Sequence, residues 1–232
     1  MKRITALEGK ISIKAVLFDL DGTLIDTEKY YRIFWPKALE TCGYHMTDEQ
    51  ALTMRSLGKP HALRQFQKWY GKDFDYIQVR ETRKRLMEEY LDKVGIECKM
   101  GAVEALQYLR QQRITTAVAT ATDWERACKY LDMVGLHSYF DKVISAHMVK
   151  EGKPSPDIYL YACEQLGVKP EECMAVEDSP NGVLSAARAG LKVVMVPDQT
   201  PMEESLQEYV VECAESLLDL IAFWEKNRES LQ

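Results

Sequence analysis

Two aspartates one residue apart stand where an apolar run ends, in Lys14-Ala-Val-Leu-Phe-Asp-Leu-Asp-Gly-Thr-Leu-Ile-Asp26. The run Ala15 to Phe18, followed closely by Gly22 and Thr23, predicts a buried strand breaking into a loop. Side chains alternate along a strand, so Asp19 and Asp21 project to one side, just past the last hydrophobic pair. Two carboxylates this close repel unless a proton or a cation intervenes. Such a pair at the lip of a buried strand marks a chemical site, and the rest of the chain has to hold that strand end in place.

After this loop the pattern turns helical as far as about Lys99. Asp26-Thr27-Glu28 offers an N-cap for a helix reaching about Cys42 and closed by Gly43, with Pro36 expected to kink or split it. Thr47-Asp-Glu-Gln50 reads as a capping box, and Gly58-Lys-Pro60 opens a helix through Tyr70. A charged helix follows over 74–94, its apolar face assigned to Ile77, Leu86, Tyr90 and Leu91 and its charges to a solvated outer face. From Met100 strands and helices alternate. Helices are expected over 101–112, 123–134, 156–167, 180–189 and 214–227. Strands are expected at Thr115–Ala119, Lys142–Ile144, Cys173–Val176, Lys192–Val196 and near Tyr209–Val211. The fold class is therefore α/β, a doubly wound parallel sheet with an inserted all-α cap. The core is assigned to residues 1–26 and 99–232 and the helical cap to 27–98. Residues 1–12 read as a short extension or an extra edge strand.

Ligands in such sheets bind beyond the carboxyl ends of the strands. There the sequence places Thr120-Ala-Thr122, the acidic pair Glu177-Asp178, and, in the loop after the third strand, Lys153-Pro-Ser-Pro156. Each has an ordinary explanation as a cap, a turn or a loop lysine. Their joint appearance at successive strand ends points to one site shared with Asp19 and Asp21.

Asp19-Leu-Asp-Gly-Thr resembles the first motif of the haloacid dehalogenase-type phosphohydrolases, and Thr120, Lys153 and the Glu177-Asp178 pair resemble the remaining three. Lys153-Pro-Ser-Pro-Asp157 and Val176-Glu-Asp-Ser-Pro-Asn-Gly182 are most similar to the branch containing β-phosphoglucomutase and phosphoglycolate phosphatase. The resemblance implies that Asp19 is a nucleophile, Asp21 a general acid/base, and the stretch 27–98 a mobile cap. The dehalogenases lack the second acidic residue, so Asp21 favours phosphoryl transfer. A phosphate dianion avoids three carboxylates unless a hard cation neutralises them, and Mg²⁺ suits oxygen ligands. Asp19, the backbone carbonyl of Asp21 and Asp178 are assigned to the metal, with Glu177 acting through a coordinated water. Thr120, the amide of Ala121 and Lys153 are assigned to the phosphate. From the cap, Thr27, Tyr31, Lys59 and His61 are the candidates for reading the substrate.

These readings predict a Mg²⁺-dependent phosphatase of a small phosphorylated metabolite, working through an aspartyl-phosphate. The nearest alternative is a β-phosphoglucomutase-type hexose-phosphate mutase. Mutases of the branch carry a histidine four residues after the hinge threonine and an arginine three after a cap glycine, where this chain has Tyr31 and His61, with Arg64 one turn further. A non-catalytic metabolite sensor is a rival from another class, against which the intact Asp19, Asp21, Lys153 and Asp178 weigh.

A net charge of −6 without a basic stripe argues against a nucleic-acid partner, and charged residues interrupt every apolar stretch near the N-terminus, so neither a signal peptide nor a membrane partner is expected. The six cysteines, far apart and without a C-x-x-C pair, read as buried thiols of a cytoplasmic protein, expected to be a monomer.

Overall fold

The near-continuous apolar runs build a single six-stranded parallel sheet in the order β3-β2-β1-β4-β5-β6. The structure is a computed structural model and describes residues 12–227. The suggested N-terminal extension or edge strand thus falls almost wholly outside the described residues. The elements are β1 (Ala15–Phe18), α1 (Glu28–Glu40), α2 (Asp48–Thr53), α3 (Lys59–Tyr70), α4 (Tyr76–Val94), α5 (Ala102–Gln111) and β2 (Thr115–Thr120). They continue as α6 (Trp124–Met133), β3 (Lys142–Ser145), α7 (Asp157–Leu166), β4 (Cys173–Glu177), α8 (Pro180–Arg188), β5 (Lys192–Met195), β6 (Val210–Cys213) and α9 (Leu217–Lys226).

Alternation along β1 sorts its side chains between two layers. Val16 and Phe18 join a cluster with Leu106, Tyr130 and Trp224 from α5, α6 and α9. Ala15 and Leu17 face the other way, against Ile158, Tyr159 and Val183 of α7 and α8. Burial on both faces is why β1 is apolar throughout rather than alternating in polarity. Because β1 lies between β2 and β4, the strand order reverses beside it, and that switch point is where such sheets open a crevice.

α1 to α4 form a third cluster in which Phe66, fully buried, stacks on Phe74 with centroids 5.1 Å apart and also packs on Trp35 and Tyr76. The capping box of Thr47 and Gln50 is present, and Pro60 lies in the first turn of α3. Three expectations need correction. Pro36 does not split α1, because Phe34, Trp35, Ala38 and Leu39 are buried on both sides of it and hold one continuous helix. The inward face of α4 is Tyr76, Val79, Arg83, Met87 and Leu91, whereas Ile77 is 52% exposed. Part of the helix's charge therefore faces inward, not to solvent. The last strand runs on to Cys213, since the next amide, Ala214, bonds the Met195 carbonyl, and α9 starts only after Ser216.

All six cysteines are free, but only Cys128, Cys163 and Cys173 are buried, and Cys213 is exposed. No described helix is long and apolar enough to cross a membrane. Removing the ring at the centre of the helical cluster, Phe66→Ala, is expected to cost about 3–5 kcal/mol of stability. Urea unfolding followed by tryptophan fluorescence measures it, and a loss below about 1 kcal/mol would show that Phe66 does not organise this layer.

Candidate active site

Parallel pairing sets the site's geometry. Phe18 is in register with Val118 on one side and Val176 on the other, so the next residue of β1, Asp19, comes level with Ala119 and Glu177. The Asp19 amide donates to the Val176 carbonyl at 3.0 Å, prolonging the ladder to the strand end. Thr120, Glu177 and Asp178 thus meet Asp19 because the hydrogen-bonded register leaves them nowhere else.

Asp19, Glu177 and Asp178 are all buried and each offers an oxygen within 4.8 Å of the others. Between two of them stands Lys153, 1% exposed, donating to Asp19 Oδ1 at 2.5 Å and to Glu177 Oε1 at 2.6 Å. Tyr159 on α7 also donates its hydroxyl to Glu177 Oε1. Burial pushes the Asp19 pKa up to about 8, against the pull of Lys153 and with help from Glu177 and Asp21. Asp178 is raised well above the usual range by burial, then by Asp19 and Glu177. Burial opposes the Lys153 charge, but Asp19 and Glu177 outweigh it and hold its pKa up.

The remaining oxygens test whether a cation belongs here. Asp19 Oδ2, Glu177 Oε2 and both Asp178 oxygens are buried without a hydrogen-bond partner. Unpaired carboxylate oxygens in this number are costly, and a hard divalent cation is the group that satisfies them. The residues fit such an ion. Gly182 is part of that fit, since a Cβ there would lie 1.9 Å from Glu177 Oε2. Ser179 accepts from the Gly182 amide and Pro180 opens α8, so the Glu177–Gly182 segment turns sharply while leaving room for Glu177.

Asp21 has different surroundings. Its two oxygens accept from Thr27 Oγ1 at 2.5 Å and Thr122 Oγ1 at 2.7 Å, so its side chain stands apart from the carboxylate cluster. Thr27 occupies the N-cap position of α1 but makes no side-chain cap, its hydroxyl being spent on Asp21. Tyr31 OH lies 2.9 Å from Thr122 Oγ1, extending the same chain of hydroxyls. Thr120 accepts from the Thr122 amide at 3.0 Å.

Asp19, Asp21, Thr120 and Ala121 open into a cavity of about 330 Å³, roofed by Tyr31, Trp35 and Lys59 of the helical layer. That layer docks closely at α3: the Gly58 amide bonds the Lys153 carbonyl at 2.8 Å, and a Cβ on Gly58 would lie 2.4 Å from the Gly152 Cα. His61 is not in the cavity wall; its ring turns to Glu151 Oε2, 3.6 Å away, and to Arg64. Sequence reasoning missed Arg55, Arg80, Arg83 and Arg126, all of which line the cavity, and Glu28, buried beside the acidic residues. Burial raises the Glu28 pKa well above its usual value, with Asp178, Asp21 and Asp19 adding to the shift. Arg83 left a readable signal, a charge inside the 76/79/83/87/91 stripe.

Comparison with known proteins gives one family. The model of the haloacid dehalogenase-like hydrolases matches residues 13–190. The phosphorylated carbohydrates phosphatase of Thermotoga maritima is 33% identical over 195 residues, 78% of this chain and 83% of that protein. Hexitol phosphatase A of Escherichia coli is 35% identical, over 81% of this chain and 86% of that one. CbbY from Rhodobacter sphaeroides, solved in complex with phosphate, superposes with a TM-score of 0.78 at 26% identity, covering 90% and 96%.

Lys153→Met removes the cation between Asp19 and Glu177 and is expected to cost about 3–5 kcal/mol at neutral pH, as when a buried pair loses one partner. The folded Asp19 pKa of about 8 lies above its ordinary 3.8. Its contribution to stability is therefore full below the unfolded value and lost as pH rises towards the folded one. Because losing Lys153 raises the folded Asp19 pKa further, the Asp19 part of the Lys153→Met deficit should appear only above pH ~8, and the deficit should shrink in denaturant titrations as pH is lowered from ~10 to ~7. A deficit that grew on acidification would contradict this electrostatic account.

Proposed function

The chain belongs to the haloacid dehalogenase-like hydrolases, and from that premise we propose that it is a Mg²⁺-dependent phosphatase of a small phosphorylated metabolite. The observation that carries the reading is the different treatment of two neighbouring carboxylates. Asp19 lies in the carboxylate cluster, held by Lys153, whereas Asp21 is held by Thr27 and Thr122 at the cavity floor. Carboxylates in unlike environments can divide nucleophilic and acid/base work between them.

In this mechanism the phosphate sits against the Thr120 hydroxyl, the Ala121 amide and Lys153. An Asp19 oxygen attacks phosphorus, the bond to the leaving oxygen breaks, and Asp21 gives that oxygen its proton. Asp21 then takes a proton from water, whose oxygen attacks the aspartyl-phosphate and releases phosphate and free Asp19. Asp19, Asp178, the Asp21 carbonyl and Glu177, directly or through water, would hold Mg²⁺, which when bound supplies positive charge for the incoming dianion. Residues 27–98 act as a cap over a core of 1–26 and 99–232, excluding bulk water and reading the substrate with Thr27, Tyr31 and Lys59. Two of the relatives are named as phosphatases of phosphorylated carbohydrates and hexitols, which supports a polyol or sugar phosphate here. Tyr31, tied to Thr122, replaces the histidine of the mutases, so hydrolysis is favoured over isomerisation.

Phosphate release from a panel of phosphorylated metabolites with Mg²⁺ tests this. Asp19→Asn should fold and lose turnover by several orders of magnitude. Near-normal turnover in that variant would remove Asp19 as nucleophile, and rapid isomerisation of β-glucose 1-phosphate without phosphate release would make the protein a mutase. Asp178→Ala should weaken Mg²⁺ binding at least about tenfold in calorimetry, as expected when a ligand to the ion is lost; unchanged affinity would exclude it from the metal site.

A further inference from the structure

Away from the carboxylate cluster, the charge of the cavity wall reverses. Arg83 and Arg126 are 3% and 8% exposed. The Arg83 guanidinium stacks over the rings of Tyr31 and Trp35, 4.7 and 4.8 Å from their centroids. Among the described residues its hydrogen bond goes to the Met87 sulfur at 3.8 Å, and its Nε has no partner. Arg126 Nε is also unpartnered, and Arg126 Nη2 is 3.7 Å from Asp123. Asp123 is already engaged by Arg80 at 2.7 Å and Lys84 at 3.0 Å. Three cations thus gather around one carboxylate, and the more deeply buried Arg83 does not reach it.

An arginine does not shed its charge, and a buried charge left unpaired is expensive. Stacking on two aromatic rings recovers part of that cost, yet it leaves the N–H fork unused. Tyr31 also fixes where the arginine lies, because its ring carries Arg83 while its hydroxyl meets Thr122, the partner of Asp21. Arg83 is therefore one tyrosine ring beyond the aspartate at the cavity floor.

We propose that Arg83, assisted by Arg126, binds a second anionic group, a carboxylate or a phosphate, on the part of the substrate that leaves. The assignment rests on the phosphatase reading for which end of the substrate faces Asp21. It narrows the substrate to sugar or polyol phosphates that carry a second acidic group, and it places the specificity determinant on α4 and α6 rather than at His61.

Binding tests this without turnover. The full chain with Mg²⁺ is titrated calorimetrically with straight-chain alkylphosphonates, ω-phosphonocarboxylates and alkane diphosphonates of matched lengths. At one or more lengths the second anion should tighten binding about tenfold to a hundredfold, the range of a charged hydrogen-bonded contact. Arg83→Met, which keeps an unbranched side chain against the rings, should reduce that preference to about threefold or less, and Arg83→Lys should restore part of it. Arg126→Gln should reduce it too, and serves alone if Arg83→Met does not fold. Whether the carboxylate or the diphosphonate series shows the larger gain identifies the group. No preference at any length, or one that survives both substitutions, overturns the proposal and leaves Arg83 a clamp for the aromatic rings. A preference without release of phosphate from any phosphorylated hydroxy acid or sugar upholds the anion site and sinks the phosphatase reading. Phosphate release without the preference does the reverse.

Discussion

Lys153 is the interaction on which the catalytic edge of the sheet depends. Parallel pairing of β1 with β4 forces Asp19 level with Glu177, and burial removes the water that would screen them. At such separations two carboxylates repel strongly in a low dielectric, so the register is tolerable only with a cation inserted or a proton held. The lysine comes from the loop after β3, two strands away from β1, and its own carbonyl receives the Gly58 amide at the start of α3. One residue thereby ties the centre of the sheet to the helical layer above it. Tyr159, bonded to the same Glu177 oxygen as Lys153, holds the pair from α7.

The contrast between Asp19 and Asp21 follows from how far each lies past the end of β1. Asp19 is still within the ladder, its amide bonded to β4, and so is locked among the carboxylates. Asp21 is two residues on, where the chain has left the sheet and hydroxyls from β2's loop and from the start of α1 can reach it. A two-residue offset thus gives two chemistries. Thr27 gains a further meaning here, since it is at once the first residue of the helical layer and a ligand to Asp21. Any displacement of α1 is felt directly at that carboxylate.

The sheet and the core motifs were legible because both obey local rules. Short apolar runs such as Ala15–Phe18 mark the strands, and polar residues just after them mark the site. The capping box at Thr47 and the Pro60 helix start were equally readable. What sequence could not supply was the aim of the charged side chains on α4. Heptad-like spacing taken over apolar residues alone chose Ile77, because Arg83 was counted as polar and therefore outward. The pairing of a guanidinium with Tyr31 and Trp35 is a tertiary fact, and periodicity marks Arg83 only as a charge inside the 76/79/83/87/91 stripe, without its partners. The split expected at Pro36 fails for a related reason, since burial on both sides of a proline can hold a helix that propensity alone would break.

The seam between the helical layer and the sheet has an energetic character suited to a cap. At its rim, Lys129 of α6 pairs with Glu88 and Asp92 of α4, and Arg80 and Lys84 pair with Asp123, all through partly exposed side chains. Such pairs contribute about 0–1 kcal/mol each and weaken with salt. Of the hydrophobic clusters, that of Phe66 lies within the helices and that of Leu17 on the far face of the sheet, whereas the Phe18 cluster crosses the seam to Phe34, Met87 and Leu91 of α1 and α4. Parting the two layers would break weak ionic contacts at the rim and the Phe34, Met87 and Leu91 edge of the Phe18 cluster, and leave the clusters around Phe66 and Leu17 intact. The same charges that close the rim, Arg80 and Asp123, also flank the cavity, so an acidic ligand there competes for the cations that fasten the seam. Substrate charge and closure are then coupled through Asp123, and the coupling has a direction. An anion that draws Arg80 away from Asp123 loosens that residue's hold on α4.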